Sequence, residues 1–363
     1  MLQAPDIQAA CNRLGFAVSG ACALRPSALA EQYREWLRAG KHGTMDYLAR
    51  NTDLRADPER LLPGARSVIM VADLYHARGN EASPSGEDSP VSSAGPAGRI
   101  ARYARGRDYH KVIKKRLHTL CDELRASHQS AEFRAFVDTA PLMEREIGQL
   151  AGMGWIGKHT LLIHPRVGSF ILLGGILTTL EIASSPSPVS DHCGTCTRCI
   201  DACPTQAISP YSVDASRCIS YLTIENRGTI DHQFHEAMGD WLYGCDICQE
   251  ICPHNSPRPR EADVGEMNPE YTPRRDSLPL LEVLQWTSDN RQNTFAGTAM
   301  TRATLEMMKR NAVVVAGNAI RNGCPDPHRS ELLRRLKELA SDQAGSPELA
   351  SLAASTLTRL HAE

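Results

Sequence analysis

Eight of the twelve cysteines in this 363-residue chain fall between Cys193 and Cys252, and their spacing constrains the fold more than any other feature. The first run, Cys193, Cys196, Cys199 and Cys203 before Pro204, reads C-x2-C-x2-C-x3-C-P. Cys218 stands alone, and Cys245, Cys248, Cys252 and Pro253 then close in the same C-x2-C-x3-C-P manner. Two-residue spacers let three thiolates converge on three irons of one cube, and the cysteine before the proline crosses to the neighbouring cube in two-cluster proteins. The spacing therefore predicts two 4Fe-4S clusters, one on Cys193, Cys196, Cys199 and Cys252, the other on Cys203, Cys218, Cys245 and Cys248. Zinc and disulfides are the other uses of paired cysteines. Eight ligands, with a proline after each run, exceed what a zinc ribbon needs.

The remainder is an ordinary globular sequence, long enough for two or three domains. No apolar run reaches membrane-spanning length, and the start, MLQAPDIQAACNRLGF, has neither a basic region before an apolar core nor a twin-arginine signal. A cytoplasmic location is expected, where cysteines stay reduced and gather on metals more often than in disulfides. Cys11, Cys22, Cys121 and Cys324 are scattered and read as packing residues.

The formal net charge of -2 gives no overall attraction to nucleic acid. Locally, RIARYARGRDYHKVIKKR, from Arg99 to Arg116, holds eight Lys or Arg against the single acid Asp108. Such a window makes a basic patch, or simply a solvated helix face.

The first fifty residues read as helical, with an apolar stripe through Ile7, Ala10, Leu14, Tyr33, Trp36 and Leu37. SVIMVADL, residues 67–74, predicts a buried strand, and the Ser/Pro/Gly-rich residues 79–98 a surface loop. Over 108–125 a helix is predicted, with Val112, Leu117, Leu120 and Leu124 on its apolar face and Lys111, Lys114, Lys115 and His118 around the rest. Residues 133–137 predict a strand ending at Asp138, and 142–150 a short helix with Glu144 and Glu146 in its first turns. A strand end fixes a side chain well, so Asp138 is a candidate functional residue as well as a candidate N-cap. GMGWIGK, residues 152–158, sets three glycines around one tryptophan, suiting tight turns or close approach to something flat. It matches neither the dinucleotide nor the P-loop pattern. Apolar segments at 160–163 and 169–180 follow, then a Ser/Pro linker at 181–189. After the cysteines come a proline-rich wrap at 256–279 and a helical tail, clearest at 307–320 and 330–340, with a HEAT-like helix pair expected.

The blocks RYARGRDYHKVIKKRL (102–117), VDTAPLMERE (137–146), GWIGKHTLLI (154–163), HCGTCTRCIDACPTQAI (192–208), RCISYLTIE (217–225) and YGCDICQEICPHN (243–255) resemble, in this order, the epoxyqueuosine reductase family of tRNA-modifying enzymes. The resemblance spans about residues 5–320, and VDTAP, GWIGK and CISYLTIE are its more specific parts. It implies an α+β fold: a nitroreductase-like cobalamin-binding catalytic domain at 1–183, a ferredoxin-like two-cluster domain at 184–258, and an extended wrap with a small helical region at 259–363. The implied activity is reduction of epoxyqueuosine to queuosine at the wobble position of tRNA, the last step of queuosine biosynthesis. Its implied cofactors are cobalamin and two 4Fe-4S clusters, and its partner is tRNA through the anticodon arm.

By the same resemblance Asp138 is the proton donor, with a pKa raised by burial as a general acid near neutral pH requires. Cobalamin contacts are implied for Arg60, Asp138, Gly157, Lys158, His159, Thr160, Ser169, Phe170, Ser220, Cys245 and Asp246. Family members usually carry Asn where this chain has His159, which raises the question of axial ligation beside the default of a satisfied polar histidine. Arg102, Arg105, Arg107, His110, Lys111, Lys114 and Lys115 are the implied tRNA contacts, with Tyr103, Tyr109 and His110 interleaved for stacking.

A low-potential electron donor of unidentified kind, no membrane partner and a monomeric state complete the expectation. Two other classes stand beside it. Another cobalamin and iron-sulfur reductase, such as a reductive dehalogenase, shares the cofactors but usually carries a twin-arginine signal and has no use for the basic window. A ferredoxin-type electron-transfer module explains the cysteines but leaves about 190 residues before them without a role.

Overall fold

The apolar run Ser67–Leu74 becomes the central strand, and all eight of its residues are buried. It pairs antiparallel with Val18–Ala23 on one side and Ile171–Thr178 on the other, and Phe133–Phe136 completes a four-stranded sheet beyond the latter. Successive strand side chains face opposite ways. Ile69 and Val71 meet Ile113, Leu117 and Leu120 of the helix Tyr109–Ser127, while Val68, Met70 and Ala72 meet Leu142, Ile147 and Met153. Both faces are covered, which is why the run is continuously apolar rather than alternating. Each fully buried aliphatic side chain of this kind contributes about 1.5–3 kcal/mol.

The computed structural model describes residues 3–76, 95–184, 189–256, 266–342 and 345–362, and its architecture is α+β. The expected loop, linker and wrap lie partly outside the described residues. Within them, Ala97–Ile100 and Ser277–Pro279 are strands and Pro269–Tyr271 is a turn of 3-10 helix. The first fifty residues are less helical than expected. Ala4–Arg13 and Ala30–Arg38 are helices, but VSGACA, Val18–Ala23, is an edge strand of the main sheet. Its small side chains carry little periodic signal, and they are needed there: a Cβ on Gly20 would lie 2.1 Å from the Ala151 carbonyl oxygen.

Three distant stretches meet in a second sheet. Trp241–Tyr243 runs parallel to Ala97–Ile100, which pairs antiparallel with Ser277–Pro279. The cysteine-rich region, the first part of the chain and the tail therefore share one core, in which Ile100, Leu242 and Leu278 join Met308, Ala312 and Val315. The tail comprises the helices Leu280–Gln285, Ser288–Phe295, Leu305–Arg321, His328–Ser341 and Pro347–Ala362.

From helix Leu305–Arg321 three buried polar side chains reach backbone carbonyls of the cysteine-rich region. Arg310 donates to Leu222 (2.6 Å) and Asn226 (2.7 Å), and Asn311 to Thr223 (2.9 Å) and Leu242 (3.0 Å). Asn318 donates to His235 (2.7 Å) and Gly239 (2.8 Å). Buried donors are normally satisfied, and here the tail frames the backbone between Cys218 and Cys245. Among the described residues no helix is long and apolar enough to cross a membrane.

Candidate active site

Where the ends of the main sheet meet the cysteine-rich region lies a cleft of about 2170 Å³. One wall carries Asp138, just beyond the strand Phe133–Phe136, with Tyr109 and His110 from the start of the long helix and Glu144 and Arg145 from helix Glu144–Leu150. The other carries Cys203, Cys218, Cys245 and Cys248, with Ser220 and Asp246. His159, Thr160 and Ser169 also line it.

Asp138 sits at a φ of 44°, a left-handed backbone that a non-glycine residue adopts only under constraint. Its carboxylate is walled by the cleft yet 60% exposed to it, and lies 3.2 Å from His110 Nε2. On the far side of the ring, Nδ1 lies 2.8 Å from Asp108 Oδ1, the same oxygen that caps the helix by accepting the His110 N–H. An imidazole between two carboxylates donates from both nitrogens, which requires the imidazolium. Burial pulls the His110 pKa down, but the bonds to Asp108 and Asp138 outweigh it and lift it to about 9. Asp138 departs from expectation in turn. Burial does push its pKa up, but hydrogen bonds from His110 and Tyr109 prevail, so the carboxyl is held below its ordinary value. The proton shared by this pair therefore rests on His110, not on Asp138.

Glu144 is the acid of this wall with a raised pKa. Burial, reinforced by the nearby charge of Asp138, lifts it to about 8, and its Oε1 has no hydrogen-bond partner. Arg145 donates to Thr160 O at 2.9 Å and to Thr160 Oγ1 at 3.1 Å, tying helix Glu144–Leu150 to the loop bearing His159. Ser169 enters a buried network behind the second cysteine run: its hydroxyl donates to Gln249 Oε1 at 3.0 Å, and its N–H to Asn255 Oδ1 at 2.7 Å.

The eight cysteines stand in two sets. Burial first, then the neighbouring thiols of Cys252, Cys193 and Cys196, push Cys199 up to about 11. Cys245 faces Cys218 and Cys248, and Cys218 faces Cys203. Cys248 also feels Cys199, so the sets are neighbours, but the Cys203, Cys218, Cys245 and Cys248 set alone lines the cleft. Among the described residues no three His, Cys, Asp or Glu side chains close on the space of a single metal ion.

The GMGWIGK stretch opens the hairpin Trp155–Ile156/Leu162–Ile163, whose entry requires Gly154: φ is 150°, and a Cβ would lie 2.1 Å from Ile163 O. This hairpin serves both sides. His159 and Thr160 reach the cleft, whereas Lys158 Nζ donates to Gly194 O (2.7 Å) and Cys196 O (2.9 Å) in the first cysteine loop.

Lys158 is thus one of four expected cofactor contacts that do not line the cleft. Gly157 is packed inside the hairpin, where a Cβ would stand 2.5 Å from Ile163 Cδ1. Arg60 is exposed and pairs with Asp57 at 3.2 Å. Phe170 is buried edge-on to Tyr75 and His76, with ring centres 5.7 and 4.9 Å away. The expected tRNA contacts also divide. Arg102 pairs with Glu250 and, at 3.6 Å, with Asp246, and Arg105 donates to the Ile100 carbonyl at 2.8 Å inside the core. Neither is open to a phosphate. Arg107 is exposed but forks onto Glu270, and His110 belongs to the cleft. Lys111, Lys114 and Lys115 are exposed along the helix.

Sequence reasoning missed Glu144, Arg145, Gln249 and Asn255 as site residues. The signal was present, since VDTAPLMERE and QEICPHN carry them, but their roles depend on contacts across the fold.

A family model described as "Epoxyqueuosine reductase QueG, DUF1730" matches residues 55–139, and one for a "4Fe-4S double cluster binding domain" matches residues 192–255. The solved structure of a selenomethionine-labeled epoxyqueuosine reductase superposes with a TM-score of 0.83 over 98% of this chain and 90% of its own, at 24% identity. Another epoxyqueuosine reductase, solved with an epoxyqueuosine-modified tRNA-Tyr stem loop, gives the same score over 98% and 89%. The epoxyqueuosine reductase of Escherichia coli is 39% identical over 309 residues, covering 84% of this chain and 78% of the relative. That of Burkholderia pseudomallei is 39% identical over 337 residues, 88% of this chain and 82% of the relative. With identity of that order over most of its length, the chain is an oxidoreductase belonging to the epoxyqueuosine reductase family.

Proposed function

We propose that this chain reduces the epoxide of epoxyqueuosine at the wobble nucleotide of tRNA to give queuosine, using two 4Fe-4S clusters and cobalamin. The observation that carries the proposal is the cleft itself, with a cysteine set on one wall and the Asp138–His110 pair on the other. Removing an epoxide oxygen as water consumes an electron pair and a proton pair, and here the sources of each face one space. Clusters deliver electrons singly and at low potential. His110 holds one proton between Asp108 and Asp138, which Asp138 Oδ2 passes to the departing oxygen, and Glu144 on the same wall, its pKa lifted by burial to about 8, gives the second.

The chemistry of the cleft fits cobalamin. His159 Nδ1 accepts the Leu161 N–H at 3.2 Å, so Nε2 carries the ring proton, and this buried nitrogen has no protein acceptor. It is a donor held ready for an amide carbonyl, of which a corrin rim has many. With its Nδ1 lone pair taken by Leu161, His159 would hold the group as a donor through Nε2. Thr160, Ser169, Ser220, Cys245 and Asp246 would hold the group from the other sides. When bound, cobalamin supplies the strongly reducing metal centre for opening the ring. Lys111, Lys114 and Lys115 would take phosphates of the anticodon arm, leaving the splayed wobble base to enter the cleft.

The proposal includes the finer architecture: a nitroreductase-like catalytic part to residue 183, a ferredoxin-like part to 258 and a HEAT-like pair in the tail. A monomeric, cytoplasmic protein served by a separate low-potential donor completes it. Anaerobic reconstitution with iron, sulfide and cobalamin, followed by metal analysis and mass spectrometry of an epoxyqueuosine stem-loop, is the test. About eight irons and tightly retained cobalt, with loss of one oxygen from the stem-loop, are expected. Full iron without cobalt and an unreacted stem-loop would leave a ferredoxin-type carrier instead.

A further inference from the structure

We infer that the indole N–H of Trp155 sets the reduction potential of the cluster held by Cys193, Cys196, Cys199 and Cys252. The inference rests on the two-cluster reading above and deepens it. Trp155 is 1% exposed, and among the described residues its Nε1 has no hydrogen-bond partner. A buried N–H without an acceptor is unfavourable, so its surroundings identify what it is there to meet. Its pocket is lined by the ligands Cys193 and Cys252, so cluster sulfur is the acceptor placed to meet it.

The ring is held in that orientation by both cysteine runs. His192, next to Cys193, stands edge-on at 5.0 Å, and His254, two residues after Cys252, does so at 4.8 Å from the other side. Ile163, Val189 and Cys252 close the pocket. The Lys158 ammonium, fixed on the carbonyls of Gly194 and Cys196, adds positive charge to the same loop.

Hydrogen bonds to cluster sulfurs and nearby positive charge favour the reduced state, in which the cluster carries one more negative charge. The cleft-side set has a different shell. Cys203 accepts the Ala207 N–H at 3.3 Å and lies 3.6 Å from the Thr205 hydroxyl, and Asp246 stands beside Cys248. Backbone donors are common to both sets, whereas the indole belongs to the outer one. The outer cluster is therefore the easier of the two to reduce, and Trp155 is a positioning and tuning residue for electron entry.

The test is an EPR-monitored redox titration of the reconstituted two-cluster protein and its Trp155→Phe variant, which keeps the packed ring and removes the donor. One cluster's midpoint should move negative, with the oxidised-to-reduced ratio at the wild-type midpoint rising on the order of tenfold, about 59 mV for a one-electron couple. The signal that moves should be the one lost in Cys196→Ser. Both clusters present with unmoved midpoints overturns the inference. Should Trp155→Phe fail to assemble, the unaltered chain labelled with indole-15N tryptophan still decides. Pulsed EPR of the reduced outer cluster must show coupling to an indole nitrogen, and its absence is equally fatal. The other tryptophans do not confuse that result: the Trp36 N–H is taken by the Val213 carbonyl at 2.7 Å, Trp286 lies in the tail core, and Trp241 packs with Cys218 and Cys245 of the other set. A chain that takes up zinc and no iron would instead remove the two-cluster reading, a distinguishable failure.

Discussion

The basic window from Arg99 to Arg116 divides into two groups of like charge and opposite fate. Arg99 lies 4.1 Å from the centre of the Trp241 ring and pairs with Glu250 at 2.8 Å. Arg102 and Arg105 are enclosed, and Arg116 pairs with buried Asp73, which also accepts the Tyr271 hydroxyl at 2.6 Å. Lys111, Lys114 and Lys115 remain in water, without ion-pair partners among the described residues. Apart from Arg107, which is exposed on Glu270, the division follows residue type. A guanidinium is planar, weakly hydrated and able to satisfy several acceptors, so it can be buried, whereas an ammonium keeps its water. A count of charges along a sequence therefore overstates the surface open to a polyanion, and here the lysines mark it.

His110 stands between the two groups, and it gives the comparison its sharpest test. Asp138→Asn should lower kcat by about 10²- to 10⁴-fold while clusters and tRNA affinity persist. His110→Asn should follow it in direction. If His110 were a phosphate contact instead, tRNA affinity would fall and kcat would hold.

Next in size is the inward group. Arg102→Ala leaves Glu250 to Arg99 but takes the guanidinium from buried Asp246, and breaking a buried pair costs about 3–5 kcal/mol. Denaturant unfolding should register that loss; normal stability with weakened tRNA binding would return Arg102 to the surface group.

The pH dependence follows from His110, whose folded pKa of about 9 lies above its ordinary 6.5. Its stabilising contribution is fully present below pH 6.5 and is lost as pH rises through about 9. The Tm gap between the parent chain and His110→Asn should narrow across that window, and kcat should fall along the same limb. A gap that widens with pH would contradict the imidazolium.

The outward group gives smaller effects. Lys114→Ala should reduce the slope of log Kobs against log salt by about 0.9 for a duplex stem, leaving iron content and fold unchanged. Least of all, Arg107→Ala removes an exposed pair with Glu270, for which about 0–1 kcal/mol is expected. A larger loss of tRNA affinity there would extend the binding face toward the start of the helix.

What could be read from the sequence was what local pattern encodes. Ser67–Leu74 and the helix Tyr109–Ser127 follow from runs and periodicity. Val18–Ala23 escaped because its requirement is smallness against Ala151, not hydrophobicity. Pro347–Ala362 lay within the expected helical tail but was not singled out, because its Ala- and Ser-containing turns present a weak stripe. Asp138 was legible as a position but not as a charge state, since the histidine that governs it lies 28 residues earlier and arrives through the fold. GWIGK was legible as a site but not as two: the turn between its strands sends Lys158 one way and His159 the other.

The bonds from Arg310, Asn311 and Asn318 bear on how the protein is made. Synthesis proceeds from the N-terminus at about 5–20 residues per second. Every cysteine of both sets emerges before helix Leu305–Arg321, which fixes the carbonyls of Leu222, Thr223 and Leu242 between Cys218 and Cys245. A nascent chain thus displays its full complement of thiols before it owns the frame that spaces them. Cluster insertion belongs after helix Leu305–Arg321 has formed, and a chain stopped short of Leu305 would present ligands without a site.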